Sequence, residues 1–319
     1  MTRLRQRVNR NVSAERQAIG IVVPAIVACR SSWLKIVQIA DSATKPVLGH
    51  TNASCSTGLR PPLGWFPGRP RGHDSSRLRS EMVLIMAMKR VIKSVHVIPM
   101  GMANAFLIED DDGLTLIDAG YPNKEAAVFG AIRALGRSPG QLKHLIFTHG
   151  HPDHIGSGAA IVRETAARTY MHPLDIPMAE SGGPFRPLRA APGLLRRVLC
   201  RLVYHPDERL EPVAINEPLT GGEILSIAGG FEVIHTPGHC AGQVALLWRP
   251  GRMLFAGDVC MNIMGLGDPV GFESLEEGRA SQRKLAGLSF DAAGFGHGEP
   301  IARDASSRFR NKWCNKSPA

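Results

Sequence analysis

Short apolar runs separated by turn-forming residues fill the chain from about residue 89 onwards. Alternating apolar and polar positions, or a brief unbroken apolar run, predict a strand, and apolar positions three and four residues apart predict a helix. Strands are predicted on this basis at residues 91–98, 104–108, 114–117, 142–147, 231–235, 244–248 and 253–255. Helices are predicted at residues 124–135, from 155 to about 167, at 194–204 and at 276–287.

The first 80 residues differ in composition from the rest of the chain. They show no sustained period and are rich in Arg, Ser, Pro and Gly. A segment of this composition buries too little apolar surface to offset the entropy lost on folding. We therefore predict a disordered basic N-terminal extension at residues 1–85, a catalytic domain at residues 86–303 and a frayed basic tail at residues 304–319.

The segment at residues 194–204 combines a helical apolar face with Arg196, Arg197 and Arg201. It follows a stretch between residues 182 and 192 that glycine and proline residues break. Two interpretations fit this spacing equally well, namely a cover over a substrate site and an ordinary surface helix.

The net charge of +10 is confined to the first quarter of the chain. Residues 1–80 hold 13 Lys/Arg and three acidic residues, whereas residues 81–319 hold 25 of each. Because contacts to phosphates need clustered basic residues, we expect no nucleic-acid partner. No apolar run reaches the length of a membrane span. We expect a cytoplasmic protein, or an exported or organelle-targeted one if the basic segment is a targeting sequence.

Histidine and aspartate residues are concentrated directly after the apolar run at residues 142–147. His149 and His151 are two positions apart, so at the end of an extended segment both imidazoles project to one side and can reach one ion. Asp153 and His154 follow a proline that turns the chain, which suits a second ion nearby. Imidazole and carboxylate are the ligands that zinc and similar divalent ions prefer.

Three further elements of the same chemistry each follow the end of a strand. They are Thr236-Pro237-Gly238-His239, Ala256-Gly257-Asp258 and Phe295-Gly296-His297-Gly298. The ordered set H-x-H-x-D-H, a histidine after T-P-G, then G-D and G-H-G resembles the motifs of the metallo-β-lactamase superfamily. The resemblance extends from about residue 91 to residue 301.

This resemblance implies an α+β fold, a four-layer αββα sandwich, with two divalent metal ions between the sheet edges. Zinc is the expected ion, and the same ligands accept iron or manganese. Carried over residue by residue, one ion would be held by His149, His151 and His239. The other would be held by Asp153, His154 and His297, with Asp258 bridging both.

Further roles follow from the same resemblance and from the chemistry of the residue types. Asp153 and Asp258 are the candidate catalytic residues, because Asp153 would orient the water that the two ions activate and Asp258 would bridge the ions. Asp118 is expected to orient an imidazole or shape a turn rather than to bind an ion. Tyr204 or Tyr170 is a candidate hydrogen-bond donor to a developing oxyanion.

The resemblance leaves the reaction open between several classes. The seven-ligand set resembles thioesterases of the glyoxalase II type (hydroxyacylglutathione hydrolases), N-acyl homoserine lactonases, and some phosphodiesterases and nucleases. Asp258 at the bridging position disfavours β-lactam cleavage. We expect a hydrolase of a small-molecule lactone, thioester or ester. An iron-dependent persulfide dioxygenase, a β-lactamase or phosphodiesterase, and a non-catalytic binding module are the alternatives.

Overall fold

A computed structural model describes residues 88–314 of the chain. Two β-sheets form its centre, and helices cover the outer face of each sheet. The predicted extension at residues 1–85 and the last five residues lie outside the described part. The strands are β1 (Lys89–Ile92), β2 (Val95–Pro99), β3 (Asn104–Glu109), β4 (Leu114–Ile117), β5 (Leu142–Ile146), β6 (Arg168–Met171), β7 (Arg189–Ala190), β8 (Glu217–Pro218), β9 (Ile224–Leu225), β10 (Phe231–His235), β11 (Val244–Trp248), β12 (Met253–Phe255), β13 (Gly271–Phe272) and β14 (Ala292–Gly294). The helices are α1 (Glu125–Ala134), α2 (Pro152–Ile155), α3 (Gly158–Thr165), α4 (Ile176–Ser181), α5 (Leu194–Val203), α6 (Leu275–Ala286) and α7 (Ala305–Trp313), and Pro139–Gln141 forms a 3-10 turn.

The first sheet has seven strands in the order β1-β2-β3-β4-β5-β6-β8. Its first four strands form an antiparallel meander, and β4, β5, β6 and β8 run parallel. The prediction of one strand at residues 91–98 is wrong, because the chain turns at Lys93-Ser94 and Ser94 has a φ of 68°. The turn consists of two successive polar residues, but neither is the Gly, Asn or Asp typical of a two-residue hairpin, so the hairpin was not predicted.

The second sheet has five strands in the order β14-β12-β11-β10-β9. Antiparallel pairing joins β9 to β12, and β14 joins β12 in parallel. Alternate residues of the two sheets face each other and form the central core. Its largest members include Phe106 and Ile108 of the first sheet and Phe231, Trp248 and Phe255 of the second.

Helices complete the outer layers on both sides. Helices α1, α3 and α4 pack on the first sheet through residues such as Ile132, Ile161 and Met178. Helices α6 and α7 pack on the second sheet through Leu285 and Phe309. The four-layer αββα sandwich is therefore confirmed.

The predicted frayed tail is wrong for residues 305–313. These residues form helix α7, and Phe309 is fully buried among Phe290, Phe295 and Trp313. Six of the nine residues of this helix are polar or basic, so its composition gives little indication of the buried aromatic position.

The predicted helix after residue 154 begins only at Gly158, as α3, and the separate one-turn helix α2 precedes it. Between them the chain passes close to Pro122, because a Cβ added at Gly156 would lie 2.4 Å from the backbone nitrogen of Pro122. Several strands were not predicted from the sequence. They are β6, the short strands β8 and β9, and the two strands β7 and β13, whose small sheet supports α5. None of the helices within residues 88–314 has the length and hydrophobicity needed to cross a membrane.

Candidate metal centre

The metal-binding motifs predicted from the sequence meet at one edge of the two facing sheets. The segment at residues 148–154 follows β5 of the first sheet. The segments that carry His239, Asp258 and His297 follow β10, β12 and β14 of the second sheet. The fold therefore gathers seven side chains that are up to 148 positions apart in the sequence.

His149, His151 and His239 form the first group of potential metal ligands. One ligand atom of each lies within 4.8 Å of the others, and all three residues are buried. His151 Nδ1 lies 3.0 Å from His239 Nε2. Two ring nitrogens this close are held together by a shared proton or by one cation.

Asp153, His154 and His297 form the second group, again with ligand atoms within 4.8 Å of one another. Asp153 Oδ2 lies 3.2 Å from His297 Nε2. The side chain of Asp153 keeps 22% of its surface exposed and that of His297 keeps 13%. The centre is therefore open to solvent beside these two residues.

Asp258 lies between the two groups. Its Oδ2 is 3.1 Å from His297 Nε2 and 3.6 Å from His239 Nε2, and its Oδ1 is 3.6 Å from His154 Nε2. A single carboxylate thus faces imidazoles of both groups. This arrangement fits a ligand that bridges two ions.

Hydrogen bonds on the far side of the rings orient three of the imidazoles. Nδ1 of His239 lies 2.8 Å from the carbonyl oxygen of Gly271, and Nδ1 of His297 lies 2.8 Å from that of Met102. A carbonyl oxygen can only accept, so both Nδ1 atoms carry the proton. Nδ1 of His154 lies 2.9 Å from Oδ2 of Asp118. In each ring Nε2 is left to face the centre.

Asp118 and Thr148 orient the fourth imidazole. The Thr148 hydroxyl donates to Asp118 Oδ2 at 2.8 Å and lies 3.1 Å from His149 Nδ1. Because this hydroxyl gives its proton to the carboxylate, it accepts the proton on His149 Nδ1. Asp118 Oδ1 also accepts from the Thr148 backbone N–H at 2.8 Å. Asp118 therefore acts on two imidazoles and lies outside both groups of potential ligands.

The donor atoms of the centre fit a divalent cation. Among the described residues, Nε2 of His149, Nε2 of His154 and Oδ1 of Asp258 are buried and lack any hydrogen-bond partner. These residues themselves form a group of potential metal ligands. Buried polar atoms without a partner are costly, and bound cations would satisfy these atoms.

The charges of the centre also favour a bound cation. Burial opposes a proton on His154, but the carboxylates of Asp118, Asp153 and Asp258 outweigh it and raise its pKa to about 9. The pKa of His297 is also raised, despite burial, by Asp258 and Asp153. The negative potential that holds these protons would hold a metal cation equally well.

Metal loading is therefore expected to release protons. His154, with a pKa of about 9, is protonated at pH 7 and must lose its proton to bind an ion. Metal affinity should fall as the pH is lowered from 9 to 6. Calorimetric titration of the apoprotein with Zn²⁺ in buffers of different ionisation enthalpy measures the protons released. Loading without proton release at pH 7 would contradict this assignment.

A buried carboxylate that the sequence reasoning missed links the two ligand loops. Asp175 is fully buried, and its Oδ2 accepts from the Gly150 backbone N–H at 2.9 Å and from the Cys240 thiol at 3.0 Å. Its Oδ1 accepts from the Gly242 backbone N–H at 2.9 Å and from Arg186. Asp175 thus fixes the loop of His149 and His151 against the loop of His239. The only indication of its role in the sequence is its position shortly after the strand β6, which was not predicted.

Replacing Asp175 by alanine is expected to weaken metal binding by about 10- to 100-fold, because the two loops would lose their common anchor. Competition with a chromophoric chelator measures the change. Asp207→Ala, which removes an exposed carboxylate, is the matched control. Equal affinities in the two variants would show that Asp175 supports the fold without positioning the ligands.

The two tyrosines predicted as substrate contacts occupy different environments. The Tyr170 hydroxyl lies 2.9 Å from His144 Nδ1, and its ring is part of the central core, so the structure does not bring it to the centre. The Tyr204 ring lies 5.4 Å from that of His151, but its hydroxyl donates to the backbone oxygen of Arg186.

A third tyrosine, Tyr121, was not predicted as a substrate contact. Burial, together with Asp153 and Asp258, raises the pKa of its hydroxyl, which stays protonated at neutral pH.

Comparison with known proteins places these features in a family. A family model described as the metallo-beta-lactamase superfamily matches residues 98–297, which include all seven gathered side chains. The structure of BJP-1, a subclass B3 metallo-beta-lactamase of Bradyrhizobium japonicum, has the same fold, with a TM-score of 0.55 and 20% sequence identity. The similarity covers 72% of this chain and 89% of that chain.

Curated relatives show the same similarity at the level of sequence. "Probable metallo-hydrolase YflN" of Bacillus subtilis is 27% identical over 66% of this chain and 85% of its own length. "Thioesterase pkgB" of Emericella nidulans is 26% identical over 62% of this chain and 46% of its own length. A hydroxyacylglutathione hydrolase of Halorhodospira halophila is 41% identical over 61 residues, which are 17% of this chain and 24% of that protein.

Proposed function

The chain is a metallo-hydrolase of the metallo-beta-lactamase superfamily, and we propose that it uses two divalent metal ions to cleave a lactone, a thioester or an ester. The observation that carries this proposal is the position of Asp258, whose carboxylate faces imidazoles of both ligand groups. Zn²⁺ is the proposed ion.

Each residue of the centre has a definite part in this proposal. His149, His151 and His239 would hold one ion, Asp153, His154 and His297 the other, and Asp258 would contact both. When bound, a pair of divalent ions supplies an activated water near neutral pH and polarises the carbonyl of the substrate. Asp153 and His297, which flank the opening to solvent, place that chemistry where a substrate can enter.

The chain's own residues also shape the reaction. Asp153 and Asp258 keep pKa values well below the usual range, because the neighbouring imidazoles outweigh the opposing effect of burial. Both therefore remain ionised, and Asp153 can accept a hydrogen bond from the attacking water. The protonated Tyr121 hydroxyl is the proposed donor to the oxygen on which negative charge develops.

Two relatives support acyl chemistry rather than another reaction. The names of a thioesterase and of a hydroxyacylglutathione hydrolase both denote cleavage of a thioester. The chain covers less than half of either protein, so the substrate class is part of the proposal. Residues 81–319 carry no net charge, which argues against a polyanionic substrate such as a nucleic acid.

The proposal is tested by measuring proton release from a panel of substrates with the zinc-loaded protein. The panel contains acyl homoserine lactones, a glutathione thioester, an aryl ester, a cephalosporin and a phosphodiester, each with and without chelator. Chelator-sensitive turnover of a lactone, thioester or ester is the expected result. Turnover of the phosphodiester alone, or of no member of the panel, would refute the proposal.

A further inference from the structure

Helix α5 exposes an apolar stripe to solvent on the face turned away from the protein. Leu194, Val198 and Leu202 lie four residues apart, and each keeps at least 42% of its surface exposed. Arg197 and Arg201 are exposed beside them. At 100° per residue these five side chains span an arc of about 140° on one side of the helix.

The opposite face of α5 fixes the helix beside the metal centre. Cys200 is buried, and its Sγ lies 3.4 Å from the position that a Cβ on Gly271 would occupy. The carbonyl of Gly271 orients His239, and Tyr204 at the end of the helix contacts the ring of His151. The exposed stripe is therefore held on the side of the molecule that carries the centre.

A second exposed apolar element borders the same region. Ile263 and Met264, which are 60% and 75% exposed, form the tip of the loop closed by the pairing of Met261 with Gly267. The Asn262 backbone N–H donates to the carbonyl of His297 at 3.0 Å, so this loop lies against the second ligand group. The apolar rim consists of Leu194, Val198, Leu202, Ile263 and Met264.

The apolar rim holds more than half of the large hydrophobic residues that the described chain exposes. Concentration of such residues beside one opening, rather than their scatter over the surface, marks an interaction site. Helix α5 and the loop touch at Arg196, whose Nη2 lies 3.7 Å from the Cβ position of Gly267. The rim is thus one surface formed by two segments.

The charge around the rim indicates its partner. Residues 181–206 contain five arginines and no acidic residue. Of these, Arg186 pairs with Asp175 and Glu273, and Glu276 lines the same cavity as Arg189 and Arg197. Among residues 88–314, no carboxylate lies within ion-pair distance of Arg189, Arg197 or Arg201. Aliphatic side chains that enter a lipid layer, flanked by arginines that meet its headgroups, are typical of a helix lying in an anionic membrane surface.

We propose that the apolar rim docks the protein on the surface of an anionic lipid bilayer, with the opening of the metal centre facing the lipid. Leu194, Val198, Leu202, Ile263 and Met264 enter the headgroup region, while Arg189, Arg197 and Arg201 contact lipid phosphates. This docking does not depend on which reaction the centre catalyses. It would bring substrates that partition into the bilayer directly to the centre.

Flotation of the full-length protein with lipid vesicles tests this proposal. The protein should float with phosphatidylcholine vesicles that contain about 30 mol% phosphatidylglycerol and should separate from them as salt is raised. Val198→Asp is expected to reduce partitioning at least about ten-fold. Replacing Arg197 and Arg201 together by alanine should reduce partitioning about 25-fold, since each basic residue near the surface contributes about five-fold.

The controls separate this surface from other sources of binding. Ile224→Asp changes an equally exposed aliphatic residue on β9 and should float like the wild type. Melting temperature and zinc content confirm that each variant is folded. Absence of flotation by the wild-type protein would overturn the proposal. Undiminished flotation of both rim variants would also overturn it, because binding would then belong to the basic segment at residues 1–80.

Discussion

Replacing Asp258 by alanine is expected to reduce kcat/KM for the best substrate about a thousand-fold. This carboxylate lies 3.1 Å from His297 Nε2 and 3.6 Å from both His239 Nε2 and His154 Nε2. Its loss removes a carboxylate that faces imidazoles of both groups of potential ligands. The variant should also bind fewer ions, which metal analysis after gel filtration measures.

The matched control for Asp258 is Asp291→Ala. Asp291 is exposed and pairs with Arg252 at the other end of the second sheet, so this variant should keep full activity. Comparison with Asp258→Asn separates charge from shape, because the amide retains the size of the side chain without its negative charge. Wild-type turnover by Asp258→Ala, with its fold intact, would rule out the bridging role.

Replacing Gly296 by alanine is expected to disable the centre almost as completely, although no ligand is removed. An added Cβ would lie 2.0 Å from Asp258 Oδ1 and 2.6 Å from His154 Cε1. Neither side chain can retreat easily, because both are buried and His154 is fixed by Asp118. We expect a loss of kcat/KM of about 100-fold or more, together with weakened binding of metal.

Gly140→Ala provides the corresponding control, since a Cβ at that position meets no atom within 4 Å. Activity and metal content of Gly140→Ala should match those of the wild type. If Gly296→Ala binds metal and turns over substrate like the wild type, then the loop that carries His297 can move without loss of activity. The close packing around Asp258 would then not be required for catalysis.

The grouping of the candidate ligands could be predicted from the sequence because these residues lie in short motifs at strand ends. His149, His151, Asp153 and His154 lie within six residues, and a glycine accompanies each of the other three ligands. Local spacing and residue type therefore carried the information. The predicted layers of the fold followed from the resemblance rather than from the hydrophobic pattern.

What the sequence did not reveal depends on contacts between distant segments. Asp175 meets Gly150, Cys240 and Gly242 only after three segments have come together. The burial of Phe309 likewise depends on packing against the second sheet, and the pairing of β1 with β2 closes a turn at Lys93-Ser94 that contains no Gly, Asn or Asp. A pattern read along the chain records neighbours in sequence, whereas these features arise from neighbours in space.

The parallel pairing of β14 with β12 has a consequence for the order in which the protein is made. His297 follows β14, and helix α7 beyond it packs on the same sheet. Under the proposed two-ion function, a nascent chain that already exposes His149, His151 and His239 lacks one side chain of the second group until synthesis has passed His297. The ions would then be acquired one after the other, and we expect ribosome-bound chains stalled before residue 297 to retain no more than one.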